Sequence, residues 1–149
     1  MSRVSTWNLE TVGTPGSAHY QAVAAVLGRS DADVVAIREV AGATDARNLQ
    51  TLAQQLEYPY VEIAPGGPFG TQRNALLSDF PITRSTLWTA ALLSGDAKAN
   101  DLTRFLPEIR VDVTCQGHLL GLVSAHLKSG SWMAVWRLAR RRGGASTIC

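Results

Sequence analysis

Three polar side chains interrupt otherwise apolar segments, near the point where each predicted strand ends. They are Asn8, Glu39 and His126. In mixed α/β sheets, ligands collect beyond the carboxyl ends of the strands, so these side chains would suit a metal ion and a phosphate. Mg²⁺ prefers oxygen ligands and typically uses only one or two protein carboxylates, which Glu39 with a neighbouring Asn8 satisfies. A histidine can hydrogen-bond a phosphate oxygen or protonate a leaving group.

Each of these residues also has a structural interpretation. An asparagine in a strand is more often a local hydrogen-bonding residue. A glutamate at a strand end is more often only solvated, and a histidine among apolar neighbours usually has a structural partner. Spacing alone leaves both interpretations open. The two cysteines, Cys115 and Cys149, make neither a disulfide framework nor a four-ligand zinc site on their own.

The first elements that would position these side chains are a strand and a helix. Arg3–Glu10 mixes β-branched and aromatic residues, which is typical of a strand. After a loop rich in turn-forming residues, Ser17 is predicted to cap a helix over 18–27. Gly28 is predicted to end that helix.

The next strand, over 33–40, is nearly all apolar until it reaches Arg38 and Glu39. This pattern is typical of a strand buried on both faces whose end emerges at a surface. Because side chains alternate along a strand, Arg38 and Glu39 are expected on opposite faces. We expect the charged head of Arg38 to reach solvent, since a charge is costly to bury.

The remaining sequence predicts a second helix followed by several strands. Thr44 or Asp45 is predicted to cap the helix, which runs to about Leu56. Hydrophobic and turn patterns then predict strands over 58–63, 72–78, 82–89, 105–114 and 118–127, and a helix start over 132–142. Gln116-Gly117 predicts a hairpin turn between the last two strands. This order predicts a mixed sheet with helices on one face and a second sheet against the other.

Composition indicates a globular chain, and its charge argues against a basic binding surface. The chain has 149 residues with 46% hydrophobic and 17% charged residues, which predicts one domain with a substantial core. It has no apolar run long enough to span a membrane and no visible signal peptide, so the cytoplasm is the default expectation.

The net charge is +2, but four arginines fall within residues 137–149. The preceding residues carry ten basic and twelve acidic side chains, a net charge of −2, so nucleic acid is not indicated as a partner.

Four local sequences resemble motifs of the endonuclease/exonuclease/phosphatase superfamily, which has the deoxyribonuclease-I-like fold. In chain order they are TWNL at 6–9, DADVVAIREV at 31–40, RNALLSDFPI at 73–82 and VSAHLKSG at 123–130. They occur in family order and at family spacing over residues 3–130. Arg104 also stands where family members often carry an arginine, one strand before the histidine.

This resemblance implies an α+β fold, a four-layer α/β/β/α sandwich with mixed sheets. It also implies hydrolysis of phosphoester bonds, by in-line attack of water, with a divalent metal ion. Glu39 would hold Mg²⁺, or Mn²⁺ in its place, and Asn8 would help to place the metal or the phosphate. His126 would contact the scissile phosphate, while Arg104 and Asn74 are weaker candidates for substrate binding. DNA, RNA, lipid phosphodiesters and phosphomonoesters all stay open as substrates.

The sequence also departs from the family pattern. The Gly-Asp-Phe-Asn motif, whose aspartate orients the attacking water, and a final Asp-His pair would both lie beyond residue 149. We therefore expect a single incomplete domain over 1–149 that is inactive alone. The alternative is an inactive remnant, or a half-domain that binds phosphate or a partner. Residues 143–149 resemble no family helix, and a shifted reading frame would explain such a tail. Arg38 also replaces the glutamine that usually precedes the metal-binding glutamate.

Overall fold

The computed structural model describes residues 2–65, 72–88, 108–115 and 117–124. Their helices and strands, in chain order, are β1 (Val4–Asn8), α1 (Ala18–Ser30), β2 (Val34–Ala41), α2 (Gly42–Gln55), β3 (Tyr60–Ile63), β4 (Gln72–Ser78), β5 (Ile82–Trp88), β6 (Glu108–Cys115) and β7 (His118–Ser124). This is the α+β class that the sequence predicts. The predicted helix start over 132–142 and the tail over 143–149 lie outside the described residues. None of the helices in the described part is long and apolar enough to cross a membrane.

The strands form two sheets. The first sheet has the order β1-β2-β4-β3, with β1 and β2 parallel and the other pairs antiparallel. The second sheet has the order β5-β6-β7 and is antiparallel throughout. The predicted hairpin is confirmed, since β6 pairs directly with β7. Asp79-Phe80-Pro81 carries the chain from the first sheet to the second.

The apolar residues lie in two clusters, one on each face of the first sheet. Both helices pack on one face, where they bury residues including Tyr20, Leu27, Val35, Ile37, Leu49, Leu52 and Leu77. A smaller cluster lies between the two sheets, with Val34, Leu76 and Val113 buried and Ile82 and Leu122 packed beside them. The described residues therefore form three layers: helices, first sheet and second sheet.

Helix α1 begins as the sequence predicts but ends later. The Oγ of Ser17 accepts a hydrogen bond from the Tyr20 N–H at 3.2 Å, which caps the helix. The prediction that Gly28 ends it is wrong, because α1 continues to Ser30. Asp31 then takes the left-handed conformation, at φ +47°, that glycine usually supplies after a helix.

Strand β3 begins at Tyr60, two residues later than predicted. Tyr58 is used for packing instead. It is buried, its hydroxyl donates to the Ala32 carbonyl at 2.7 Å, and its N–H donates to the Ala53 carbonyl at 2.9 Å. Burial, and secondarily the charge of Asp79, raises the pKa of the Tyr58 hydroxyl.

The start of α2 corrects a second prediction about helix ends. The helix begins at Gly42, with Ala41 as its N-cap and no capping side chain, so neither Thr44 nor Asp45 is the cap. Asp45 lies instead within the first turn and is 5% exposed. One of its carboxylate oxygens accepts a hydrogen bond from the Ala41 N–H at 3.1 Å. A carboxylate near the start of a helix also interacts favourably with the helix dipole.

The same carboxylate holds the loop that follows β1. It accepts hydrogen bonds from the N–H of Val12 at 2.7 Å, the N–H of Gly13 at 3.1 Å and the hydroxyl of Thr11 at 3.2 Å. Asn48, one turn further along α2, donates to the Gly13 carbonyl at 2.8 Å. These bonds attach the chain after β1 to the helix that follows β2, and so fix the ends of the two strands relative to each other.

We predict that Asp45→Ala lowers the free energy of unfolding by about 3 kcal/mol, because it leaves buried backbone donors without their charged acceptor. Asp45→Asn should cost less, since its amide oxygen can still accept. Urea unfolding of the three proteins measures the difference. Thr44→Ala, one residue earlier on the exposed side of α2, is the matched control and should change stability by less than about 0.5 kcal/mol. Equal losses for Asp45→Ala and Thr44→Ala would contradict the assigned role.

Three carboxylates gather where β2 begins and β4 ends: Asp31, Asp33 and Asp79. Arg3 offsets two of them, because its guanidinium pairs with Asp31 and its N–H donates to Asp33 Oδ2 at 2.5 Å. The backbone N–H of Asp79 donates to the Asp33 carbonyl at 2.9 Å, which holds the third carboxylate close. Loss of solvation, followed by the charges of Asp33 and Asp31, raises the pKa of Asp79.

A raised pKa in the folded state means that folding favours the protonated form of Asp79, so its ionised form opposes folding. Asp79→Asn should therefore stabilise the protein above the raised pKa. The gain should fall as the pH drops through that pKa and vanish below the ordinary value of 3.8. Because Asp79 is exposed, screening limits the gain to less than about 0.5 kcal/mol. Thermal unfolding over a pH series measures it.

The control for this pH series is Glu10→Gln. It removes an exposed carboxylate just beyond the other end of β1, away from the three aspartates. A gain for Asp79→Asn that persists at pH 3, or that Glu10→Gln reproduces, would show that the cluster does not cause it.

Candidate active site

Asn8, Glu39 and Asn74 lie on three neighbouring strands, β1, β2 and β4. In the parallel pair of β1 and β2, Asn8 is the register partner of Arg38, which immediately precedes Glu39. The pairing continues past the end of β1, where the Leu9 N–H donates to the Arg38 carbonyl at 3.0 Å. The register therefore brings these residues to one level of the first sheet.

Glu39 lies in a β-bulge. The register of β2 against β4 shifts between Ile37 and Val40, so two residues of β2 stand opposite the single residue Asn74. Ile37 and Val40 consequently both reach the helix-side core, although simple alternation would send them to opposite faces. The expectation that Arg38 and Glu39 lie on opposite faces stays a prediction, because the bulge interrupts the regular alternation at these two residues.

The backbone of Glu39 is unusual for a residue in a strand. Its φ is +63°, in the left-handed region that is costly for side chains other than glycine. Such conformations and bulges are concentrated at functional sites, where they redirect a side chain. The glutamate that the sequence singles out is thus also the residue at which the strand departs from regular geometry.

Asn74 connects the two sheets. It is completely buried, and its Nδ2 donates to the Ser124 carbonyl on β7 at 3.4 Å. Sequence reasoning proposed Asn74 for substrate binding but did not predict this link, because nothing in the local pattern relates it to a residue 50 positions away. Its role toward a substrate stays a prediction.

Arg38 is half-buried and lines a cavity between the sheets. Its Nε is buried without a hydrogen-bond partner among the described residues, and the expectation that its charged head reaches solvent stays a prediction. His126 and Arg104, the other two predicted site residues, lie outside the described residues. Ser124 precedes His126 by two positions and is the last described residue of β7.

The donor types at this level of the sheet fit a hard cation. Asn8 is exposed and Glu39 is half-buried, and their amide and carboxylate oxygens are ligands that Mg²⁺ accepts. The described residues contain no group of three histidine, cysteine or acidic side chains able to hold a metal ion. A metal bound by Glu39 would therefore keep most of its water ligands.

Solved structures with this arrangement of sheets and helices are similar to the chain over most of its length. An endonuclease/exonuclease/phosphatase family protein from Leptotrichia buccalis C-1013-b matches with a TM-score of 0.59 and 11% identity, over 97% of this chain and 63% of that one. The chain has the fold of the endonuclease/exonuclease/phosphatase family. A crystal structure of SmcL matches with a TM-score of 0.56 and 14% identity, over 87% of this chain and 49% of that one.

Two further findings limit what this structural similarity shows. The chain spans 63% of the length of the first of these structures and 49% of the second, less than two thirds of either. No protein-family model and no curated protein matched the sequence. The likeness is therefore one of fold, at identities too low to carry residue roles from one protein to another.

We predict that Glu39→Gly is more stable than Glu39→Ala by about 1 kcal/mol. Both variants remove the carboxylate, so they differ chiefly in the cost of a positive φ, which glycine avoids. Chemical unfolding of the two variants measures the difference. Position 36, a regular position of β2, is the control. There Ala36→Gly should be less stable than the unaltered chain, because glycine weakens an ordinary strand. If Glu39→Ala is the more stable of its pair, the bulge does not store this strain.

Proposed function

We propose that this chain carries the N-terminal part of the active site of a divalent-metal-dependent phosphoester hydrolase. The observation that supports this most strongly is the position of Glu39. It stands in a bulge at positive φ, between strands that carry Asn8 and Asn74. The fold likeness to an endonuclease/exonuclease/phosphatase family protein and the four sequence motifs agree with the proposal.

In this proposal Glu39 and Asn8 hold Mg²⁺, or Mn²⁺ in its place. Such an ion polarises a phosphoryl oxygen and lowers the pKa of bound water. Glu39 supplies the negative charge that retains the ion, and the bulge aims its carboxylate. The exposed amide of Asn8, at the end of β1, orients the metal or the substrate phosphate.

The remaining roles follow from the sequence resemblance. His126 would hydrogen-bond the scissile phosphate and stabilise the charge that develops during in-line attack. Arg104 would bind the substrate. The solved structures that resemble this chain are considerably longer. Phosphoester hydrolysis by a protein of that full length is therefore itself part of the proposal.

Metal binding is the first test. We expect Mg²⁺ or Mn²⁺ to bind weakly, with a dissociation constant near the millimolar range, because one carboxylate leaves the ion mostly hydrated. Glu39→Gln should abolish binding, as measured by calorimetry with Mg²⁺ and by electron paramagnetic resonance with Mn²⁺. Glu57→Gln, at an exposed residue just after α2, is the control and should bind like the unaltered chain. Binding that survives Glu39→Gln would contradict the assigned ligand.

Hydrolysis is the second test. The 149-residue chain should show at most trace turnover of plasmid DNA, a phosphodiester or a phosphomonoester. Catalytic residues act as a unit, and losing some of them lowers the rate by orders of magnitude.

The coding DNA beyond residue 149, translated in three frames, should contain the Gly-Asp-Phe-Asn motif. A chain extended through it should turn over one of these substrates with Mg²⁺ and lose the activity in His126→Ala. An extended chain without activity would indicate an inactive remnant instead.

A further inference from the structure

A cavity of about 290 Å³ lies between the two sheets, beside the candidate active site. The first sheet contributes Val4, Thr6, Ala36 and Arg38, and β7 of the second sheet contributes Leu122 and Ser124. Its size is at the lower limit of pockets that bind small molecules, and its mixture of apolar walls with a few polar groups is typical of them.

Two donors in the cavity wall have no partner among the described residues. The Nε of Arg38 is buried and makes no hydrogen bond there. Ser124 is only 3% exposed, and its hydroxyl is likewise buried without a partner. A buried donor left without an acceptor costs about 1–3 kcal/mol, and more when it is charged, so these groups favour an occupant that accepts hydrogen bonds. The charge of Arg38 further favours an anion.

The polar and apolar parts of the cavity lie at different levels of the sheets. Arg38 is level with Asn8, and Ser124 is held at the level of Asn74 by its carbonyl, so the two donors lie at the end near the candidate active site. Val4 and Ala36 lie two to four residues nearer the start of their strands, and with Leu122 they give this end a mainly apolar wall. Ser5 and Thr6, the latter the register partner of Ala36, also line this part of the cavity. An elongated occupant would thus meet the two buried donors at one end and mainly apolar side chains at the other.

We propose that this cavity binds a small anionic amphiphile, with its phosphate, phosphonate or carboxylate group at Arg38 and Ser124. The short aliphatic body would lie along Val4, Ala36 and Leu122, between the sheets. The guanidinium offers the paired donors that planar and tetrahedral oxyanions accept, and the Ser124 hydroxyl offers a third. The proposal concerns binding only, and it does not depend on metal binding or on hydrolysis.

Calorimetry with butylphosphonate in the presence of a chelator tests the proposal, because this probe cannot be hydrolysed and the chelator removes any metal contribution. Butylphosphonate should bind at a single site. Methylphosphonate should bind roughly tenfold more weakly or worse, since each lost methylene costs up to about 0.8 kcal/mol. Butanol, which has the body without the charge, should show no saturable binding.

Two variants assign the two ends of the ligand, and a third serves as the control. Arg38→Met keeps the apolar stem and removes the cation, so it should weaken butylphosphonate binding at least tenfold. Arg47→Met, at an exposed arginine on α2, is the matched control and should leave binding unchanged. Ala36→Leu fills the apolar end and should reduce the affinity for butylphosphonate to that for methylphosphonate. Should a variant fail to fold, amide shifts of Ala36 and Ser124 on titrating the unaltered chain decide the location.

Several results would overturn the proposal. Equal affinities for methylphosphonate and butylphosphonate would exclude a role for the apolar end, and saturable binding of butanol would exclude the need for an anion. Unchanged binding in Arg38→Met, or shifts confined to residues away from the cavity, would place the anion elsewhere. None of these outcomes bears on metal binding by Glu39, which the chelator silences in this assay.

Discussion

The buried carboxylate of Asp45 is the interaction on which the geometry of the candidate active site depends. A charge with so little exposure is stable only when its oxygens are fully hydrogen-bonded, and here the donors come from the loop after β1 and from the start of α2. β1 ends at Asn8 just before that loop, and β2 carries Glu39 just before that helix. Asp45 therefore holds together the segments that follow the two strands, in addition to the backbone pairing that joins β1 to β2.

Much of the fold is predictable from the sequence because its signals are local. The buried strand over residues 34–41, the cap at Ser17 and the hairpin before His118 each follow from a few neighbouring residues. Asn8 and Glu39 stand out for the same reason, as polar residues at the ends of apolar strands. Their common edge of the sheet also follows, since ligands in such sheets bind beyond the carboxyl ends of neighbouring parallel strands.

The features that could not be predicted depend on distant partners or on single residues. Nothing near Asp45 reveals that its acceptor oxygens serve donors more than 30 residues away, so its carboxylate resembles a helix cap. The bulge is equally hidden, because one additional residue in an apolar strand leaves no compositional trace. The partly buried setting of Arg38 is also hidden, since it depends on the second sheet lying above β1 and β2.

The bulge in β2 has a consequence for how this sequence can vary. Ile37 and Val40 both face the helices only because an additional residue separates them, so the faces of β2 before and after Glu39 are out of step by one position. Losing a single residue here would exchange the inward and outward sides of the strand end and turn Val40 away from the core. Substitution at position 39 does not change which face of β2 the other residues occupy. The length of β2 is thus more tightly constrained than the identity of the residue that bulges from it.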